Sequence, residues 1–111
     1  MLSTSSIAFL KRLLDAPAPS GFETMAARIW RTEAETFADK VTTDIAGNSM
    51  AEVQGGNALT IMLDGHIDEI GVIVQYIDDD GYVYISPIGG WDPQVLVGEK
   101  TENGMACPWL S

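Results

Sequence analysis

One segment, residues 58–71, carries most of the information about the fold and has the sequence ALTIMLDGHIDEIG. Its first half, residues 58–63, is apolar on both faces, which is typical of a central strand covered on both sides in an α/β sheet. The residues able to do chemistry follow directly, and open α/β sheets collect their ligand sites at the carboxyl ends of strands. The segment therefore predicts a buried strand with a functional site at its end.

Two helices are predicted upstream of this segment. Serine and threonine residues provide an N-cap, and apolar residues then recur at helical spacing over residues 5–15. The sequence APAPSG at residues 16–21 ends this helix, because each proline disfavours the α conformation of the residue before it. A second helix is predicted over residues 23–37, with the apolar stripe Phe22, Ala26, Ile29, Trp30 and Phe37.

Two further pairs of strands are predicted from alternating apolar and polar residues. They cover residues 41–45 and 49–54 around a Gly-Asn turn, and residues 71–77 and 82–85 around an Asp-Gly turn. Helices followed by strands indicate an α/β or α+β fold.

Composition excludes several classes of function. The chain has 111 residues, a net charge of −10, one histidine and one cysteine. The negative charge argues against nucleic-acid and anionic-membrane partners. A disulfide within the chain and a zinc site built from several His and Cys are both excluded. The apolar stretches are too short for a membrane span and the N-terminus does not resemble a secretory signal, so a cytoplasmic location is expected.

The pair His66 and Asp68 is the candidate for chemistry. Residues two apart in an extended segment point to the same side, and a carboxylate beside a histidine fixes its tautomer for metal binding. Such a pair is also common without any function, so spacing alone leaves both interpretations open. Asp64 lies on the same face. Glu69 points away from Asp68, which argues against a glycosidase that uses these two carboxylates as its acid–base pair.

Several motifs together resemble metallopeptidase family forty-two, the glutamyl, deblocking and tetrahedral aminopeptidases, some of which have been labelled endoglucanases. The motifs are HIDEIG at 66–71, YIDDDG at 76–81, IGGWDP at 88–93, APAPSGFE at 16–23 and DIAGN at 44–48. They occur in order and cover nearly the whole chain to about Gly98.

The resemblance implies an aminopeptidase with two metal ions, zinc or cobalt, acting on peptides. It implies that His66 binds one ion and that Asp68 supports this histidine. From their positions in the segment, Asp64 and Glu69 are further candidates for supporting positions, although Asp64 could equally be a cap at the end of the strand. The other ligands and the general base of the family have no counterpart in this chain. The family also forms dimers that assemble into tetrahedral dodecamers.

The same resemblance divides the chain. Residues 1–70 correspond to the N-terminal part of an α/β catalytic domain, and residues 71–100 to the start of an inserted β-rich, PDZ-like dimerisation domain. Residues 101–111 depart from the family pattern, for which we hypothesise a frameshift or premature stop near Lys100, the alternative being a natural tail. We therefore expect a truncated enzyme that is inactive by itself. The alternative is a non-catalytic acidic module that binds a partner through an open strand edge or through an exposed Trp91 with Tyr82 and Tyr84.

Overall fold

In the part of the chain that the structure describes, the protein is a small α/β arrangement of two helices and two β-hairpins. The computed structural model describes residues 2–56, 59–92 and 94. Its elements are, in order, α1 (Thr4–Leu14), α2 (Thr24–Ala34), β1 (Lys40–Thr43), β2 (Ser49–Glu52), β3 (Gly71–Ile77) and β4 (Val83–Ile88). Within the described residues the strands form two separate antiparallel pairs, β1 with β2 and β3 with β4.

Both predicted helices are confirmed, with one shift at an end. The Ser3 hydroxyl accepts a hydrogen bond from the Ser6 N–H at 3.0 Å, which is the predicted N-cap of α1. Helix α2 ends at Ala34 rather than at Phe37. The Thr36 hydroxyl donates to the Glu33 carbonyl at 2.7 Å, and this local bond accompanies the tight turn that stops the helix.

Both predicted hairpins are confirmed. Their turns are determined by residues that are neighbours in the chain, so the sequence could predict them. The Asp78 carboxylate accepts hydrogen bonds from the backbone N–H groups of Asp80 and Tyr82. Gly81 has φ +86°, a conformation that residues with side chains rarely adopt. Strand β4 extends to Ile88, three residues beyond the predicted end at residue 85.

The predicted central strand over residues 58–63 is wrong for the part that the structure describes. Residues 59–63 carry no strand, and their apolar side chains are exposed, from 75% for Ile61 to 93% for Leu63. A strand needs a partner for its backbone N–H and C=O groups, and in the described part of the chain no strand lies beside this segment. The apolar pattern of this segment therefore did not predict its burial.

The buried core is built from small residues. Ala16, Ala18 and Ala26 form a cluster against which Leu13, Ile29 and Ile67 pack. The predicted stripe of α2 is therefore right for Ala26 and Ile29. It is wrong for Phe22 and Phe37, which are exposed because they lie outside the two ends of the helix.

Two polar contacts connect the helices and the first hairpin. Arg12 of α1 pairs with Glu33 of α2 at 3.0 Å, and Arg31 of α2 donates to the Ser49 hydroxyl of β2 at 3.0 Å. Both contacts place α2 between α1 and the first hairpin. No helix in the described ranges is long and apolar enough to cross a membrane.

The second hairpin corrects one expectation and leaves two as predictions. Trp91 is half-buried, and its indole N–H lies 3.2 Å from the Gly71 carbonyl and 3.1 Å from that of Ile88. The expectation of an exposed Trp91 as a binding surface is therefore wrong. Tyr82 and Tyr84 are exposed, as expected. Two strands do not define a PDZ-like domain, and residues 101–111 lie outside the described residues, so both assignments stay predictions.

Candidate functional site

The segment that follows the apolar run lies against the proline-rich loop between the helices. Glu69 and Pro19 form an isolated parallel bridge. The Glu69 N–H donates to the Ala18 carbonyl at 2.8 Å, and the Ala18 N–H donates to Oε1 of Glu69 at 2.9 Å. These two reciprocal bonds hold together two parts of the chain that are 51 residues apart.

The predicted pairing of His66 with Asp68 is confirmed as a contact. Nδ1 of His66 lies 3.0 Å from Oδ1 of Asp68 and 3.0 Å from the Asp68 backbone carbonyl. Both neighbours are acceptors, so Nδ1 must carry the proton, and the neutral ring keeps its lone pair on Nε2. The His66 side chain is 83% exposed, which leaves the ring accessible to solvent. Ile67 points the other way and packs against the alanine cluster, as alternation predicted.

Ser20 completes this group of polar residues, and the sequence analysis missed it. Its hydroxyl donates to Oδ2 of Asp68 at 2.5 Å. This hydrogen bond, followed by that from His66, holds the pKa of Asp68 below its ordinary value of 3.8. The only signal in the sequence was its place in the APAPSGFE motif, because nothing local relates it to a carboxylate 48 residues away.

An open groove of about 310 Å³ lies beside these residues. Its walls combine apolar side chains of α1 and the following loop with the polar segment; they are Leu13, Leu14, Ala16, Ala18, His66, Ile67, Asp68 and Glu69. The candidate site is therefore a shallow surface feature with one apolar wall.

The two other candidate carboxylates do not join the pair. Oε1 of Glu69 is engaged by the Ala18 N–H, on the side of the proline-rich loop. Asp64 is exposed and makes no hydrogen bond or ion pair with the residues that the structure describes. Neither carboxylate is hydrogen-bonded to the side chain of His66 or Asp68 in the part of the chain that the structure describes.

The donor set fits one ligand of a metal centre and does not fit a whole one. Within residues 2–56, 59–92 and 94, no cluster of three or more His, Cys, Asp or Glu side chains could hold a metal ion. His66 alone presents a free ring nitrogen in a suitable tautomer. Further ligands would have to come from outside this group.

Comparison with known proteins agrees with these motifs. The family model described as M42 glutamyl aminopeptidase matches residues 47–103, about half of the chain. A lysyl aminopeptidase of Pyrococcus furiosus is 36% identical over 100 residues, which cover 86% of this chain and 29% of that protein. A glutamyl aminopeptidase of Lactococcus lactis is 43% identical over 56 residues, covering 47% of this chain and 16% of the relative. The chain thus spans less than a third of these relatives.

A solved structure extends the likeness to the fold. The TET aminopeptidase from the marine sediment archaeon Thaumarchaeota archaeon SCGC AB-539-E09 superposes with a TM-score of 0.77 at 35% sequence identity. The match covers 84% of this chain and 26% of that structure. Because the family model matches half of its residues, this chain belongs to the M42 glutamyl aminopeptidase family, whose members are hydrolases.

Proposed function

We propose that this chain supplies a histidine ligand, His66, to the divalent-metal centre of an aminopeptidase that removes N-terminal amino acids from peptides. One observation carries the proposal: Nδ1 of His66 faces only acceptors of Asp68, so the neutral ring offers Nε2 to a cation. Histidines that bind metals are commonly held in this way, with the second nitrogen donating to a carboxylate or carbonyl. Membership of a metallopeptidase family implies a divalent cation and supports the same role.

The residues of this chain would prepare the ligand in advance. Because Asp68 already keeps the proton on Nδ1, the ring needs no change of tautomer to bind a cation. Ile67 lies between His66 and Asp68 in the sequence and packs on the alanine cluster. This packing restrains the backbone that carries both side chains. Divalent ions at such a centre, zinc or cobalt in our prediction, would supply Lewis acidity toward a scissile carbonyl and activate water, and His66 would hold one of them.

The described residues by themselves contain no group of three or more His, Cys, Asp or Glu that could hold a metal ion. A two-ion centre needs further ligands, and we infer that they come from protein outside the described residues. We therefore expect that the isolated chain does not hydrolyse peptides, although its family does. Assembly of copies into dimers and larger particles, zinc or cobalt as the ion and a cytoplasmic location are further predictions from the family resemblance.

The test is metal binding to the only histidine in the chain. Zn²⁺ titrated into the ¹⁵N-labelled chain should shift the imidazole resonances. In the variant His66→Gln, Zn²⁺ binding measured by calorimetry should be lost. Asp64→Asn, a change to a neighbouring exposed carboxylate, is the matched control and should bind as the original chain does. Equal Zn²⁺ binding by His66→Gln would contradict the proposal.

A second assay addresses turnover by the chain alone. Hydrolysis of aminoacyl-anilides, with added zinc or cobalt, should stay at the level of the metal ions without protein. Clear metal-dependent turnover that is lost in His66→Gln would show that the chain is a complete enzyme and would overturn our expectation of inactivity.

The exposed apolar residues 59–63 favour a second candidate function, a non-catalytic interaction module. Such a module would not use His66, so His66→Gln would leave its binding unchanged. A stoichiometric complex that survives this substitution would support the second candidate over the first.

A further inference from the structure

Three side chains form a continuous row at the candidate site, with the carboxylate in the middle. The Ser20 hydroxyl donates to Oδ2 of Asp68, and Nδ1 of His66 donates to Oδ1 of the same carboxylate. In a serine-hydrolase triad the histidine stands between the serine and the carboxylate, where it can take the serine proton. The order here is different, so Ser20 is not activated as a nucleophile and its hydroxyl acts on Asp68 alone.

We infer that Ser20 is a positioning residue, which holds the Asp68 carboxylate in the orientation that keeps the proton of His66 on Nδ1. The step from tautomer to metal affinity rests on the proposed function, whereas the effect of Ser20 on the tautomer does not. A carboxylate that rotates freely about its side-chain bonds cannot hold a neighbouring ring in one orientation. A bond to its second oxygen removes that freedom and aims the first oxygen at the ring.

The surroundings of Ser20 are suited to this role. Its loop is tied to the site segment by the reciprocal bonds between Ala18 and Glu69. The Phe22 N–H donates to the Pro19 carbonyl at 2.8 Å, which closes a turn around Ser20. The hydroxyl is thus carried by restrained backbone, and among the described residues it is the one donor to Oδ2 of Asp68.

The experiment reads the tautomer of His66 directly by ¹⁵N NMR of the imidazole nitrogens, at about pH 8, above the ordinary titration range of histidine. The chain contains a single histidine, so the spectrum is unambiguous. The original chain should show mainly the Nδ1–H form. Ser20→Ala should shift the population toward Nε2–H, and Ser20→Thr, which keeps the hydroxyl, should restore the original form.

Ser49→Ala is the matched control. Ser49 is also half-buried and hydrogen-bonded, but its partner is Arg31 in α2 and it has no contact with Asp68. This control should leave the tautomer unchanged. If Ser20→Ala does not fold, Ser20→Cys replaces it, because a thiol of similar size is only a weak donor.

A double-substitution cycle separates positioning from a general structural effect. Asp68→Ala removes the carboxylate and leaves the Asp68 backbone carbonyl as the acceptor for Nδ1, so it should produce the largest shift in tautomer among these variants. Adding Ser20→Ala to it should change nothing further, because Ser20 acts through that carboxylate. An unchanged tautomer in Ser20→Ala would overturn the inference. So would a Ser20→Ala effect that persists in the Asp68→Ala background.

Zn²⁺ affinity gives a second readout and separates this inference from the proposed function. Loss of a residue that supports a metal ligand typically weakens binding by about 10–100-fold, and we expect Ser20→Ala, one bond further away, to weaken it by about tenfold at most. If His66 binds no Zn²⁺ at all, the proposed function fails while the tautomer comparison still decides the role of Ser20. If Zn²⁺ binds to His66 and Ser20→Ala leaves the tautomer unchanged, only the inference fails.

Discussion

Two adjacent halves of one segment behave in opposite ways. Residues 59–63 are apolar and exposed, whereas residues 65–69 are held by hydrogen bonds and by Ile67 in the alanine cluster. The second half finds its partners in the loop at residues 18–20, which donates hydrogen bonds to the carboxylates of Asp68 and Glu69 and accepts one from the Glu69 N–H. Polar contacts can be satisfied by one short loop, but an apolar run needs a layer on each face.

The difference shows which part of the motif is self-sufficient. Each hydrogen bond of the site segment is satisfied by a single atom, so a loop of three residues provides enough partners. Burial of residues 59–63 would require a continuous apolar surface packed against them. Apolar area stabilises a fold by about 25 cal/mol per Å² only when it is removed from water. Among the described residues nothing provides that surface. The candidate site is thus preformed next to an apolar run that is still exposed.

The largest effect is expected from making the exposed half polar. An uncharged, proline-free run of apolar residues promotes self-association, so the isolated chain should bind the dye ANS and form concentration-dependent oligomers. Ile61→Lys combined with Leu63→Lys should lower both severalfold, as measured by ANS fluorescence and light scattering. Thr60→Lys, a charge added at a polar position of the same run, is the control for charge alone. Dye binding that is unaffected by the double substitution would show that the run is covered in solution.

The second prediction compares the same chemical change in the two halves. Ile67→Ala removes a side chain packed on the alanine cluster and should lower the free energy of unfolding by about 1–2 kcal/mol. Ile61→Ala removes one that is 75% exposed and should change it by less than about 0.5 kcal/mol. Urea denaturation followed by circular dichroism measures both. Equal losses would mean that the two halves are buried to the same extent.

The smallest effect is expected at the bridge between the site segment and the loop. Glu69→Ala leaves the Ala18 N–H without its acceptor and should cost about 1 kcal/mol, the net value of a typical hydrogen bond. Faster hydrogen exchange at the Ala18 amide should accompany this loss. Asp64→Ala, a change to an exposed carboxylate of the same segment, is the control and should alter neither quantity. Unchanged exchange at Ala18 in Glu69→Ala would contradict the bridge.

Much of the local structure could be predicted from sequence. The N-cap at Ser3 and the turn at Asp78 to Gly81 involve residues no more than four positions apart, so the pattern contains both partners. The proximity of His66 and Asp68 followed for the same reason, since alternation along a backbone is a local property. The family followed from several motifs in order, and the comparisons confirm it.

Burial could not be predicted in the same way. The stripe of α2 placed Phe37 in the core, but the helix ends before it and the residue is exposed. Residues 59–63 have the composition of an internal strand, yet composition does not state whether a neighbouring strand is present. Burial depends on what packs against a residue, and that information is not contained in the residue itself.

The sequence alone therefore determined the helices, the hairpins, the family and the pairing of His66 with Asp68, because each depends on residues close together in the chain or on a motif. Tertiary structure decided which distant groups complete the site, namely the Ser20 hydroxyl and the backbone of Ala18. Ser20 reaches Asp68 across 48 positions, and Ala18 reaches Glu69 across 51, because the loop after α1 returns to this segment. A hydrogen bond requires its two atoms to be about 3 Å apart, and only the folded backbone brings such distant residues to that distance.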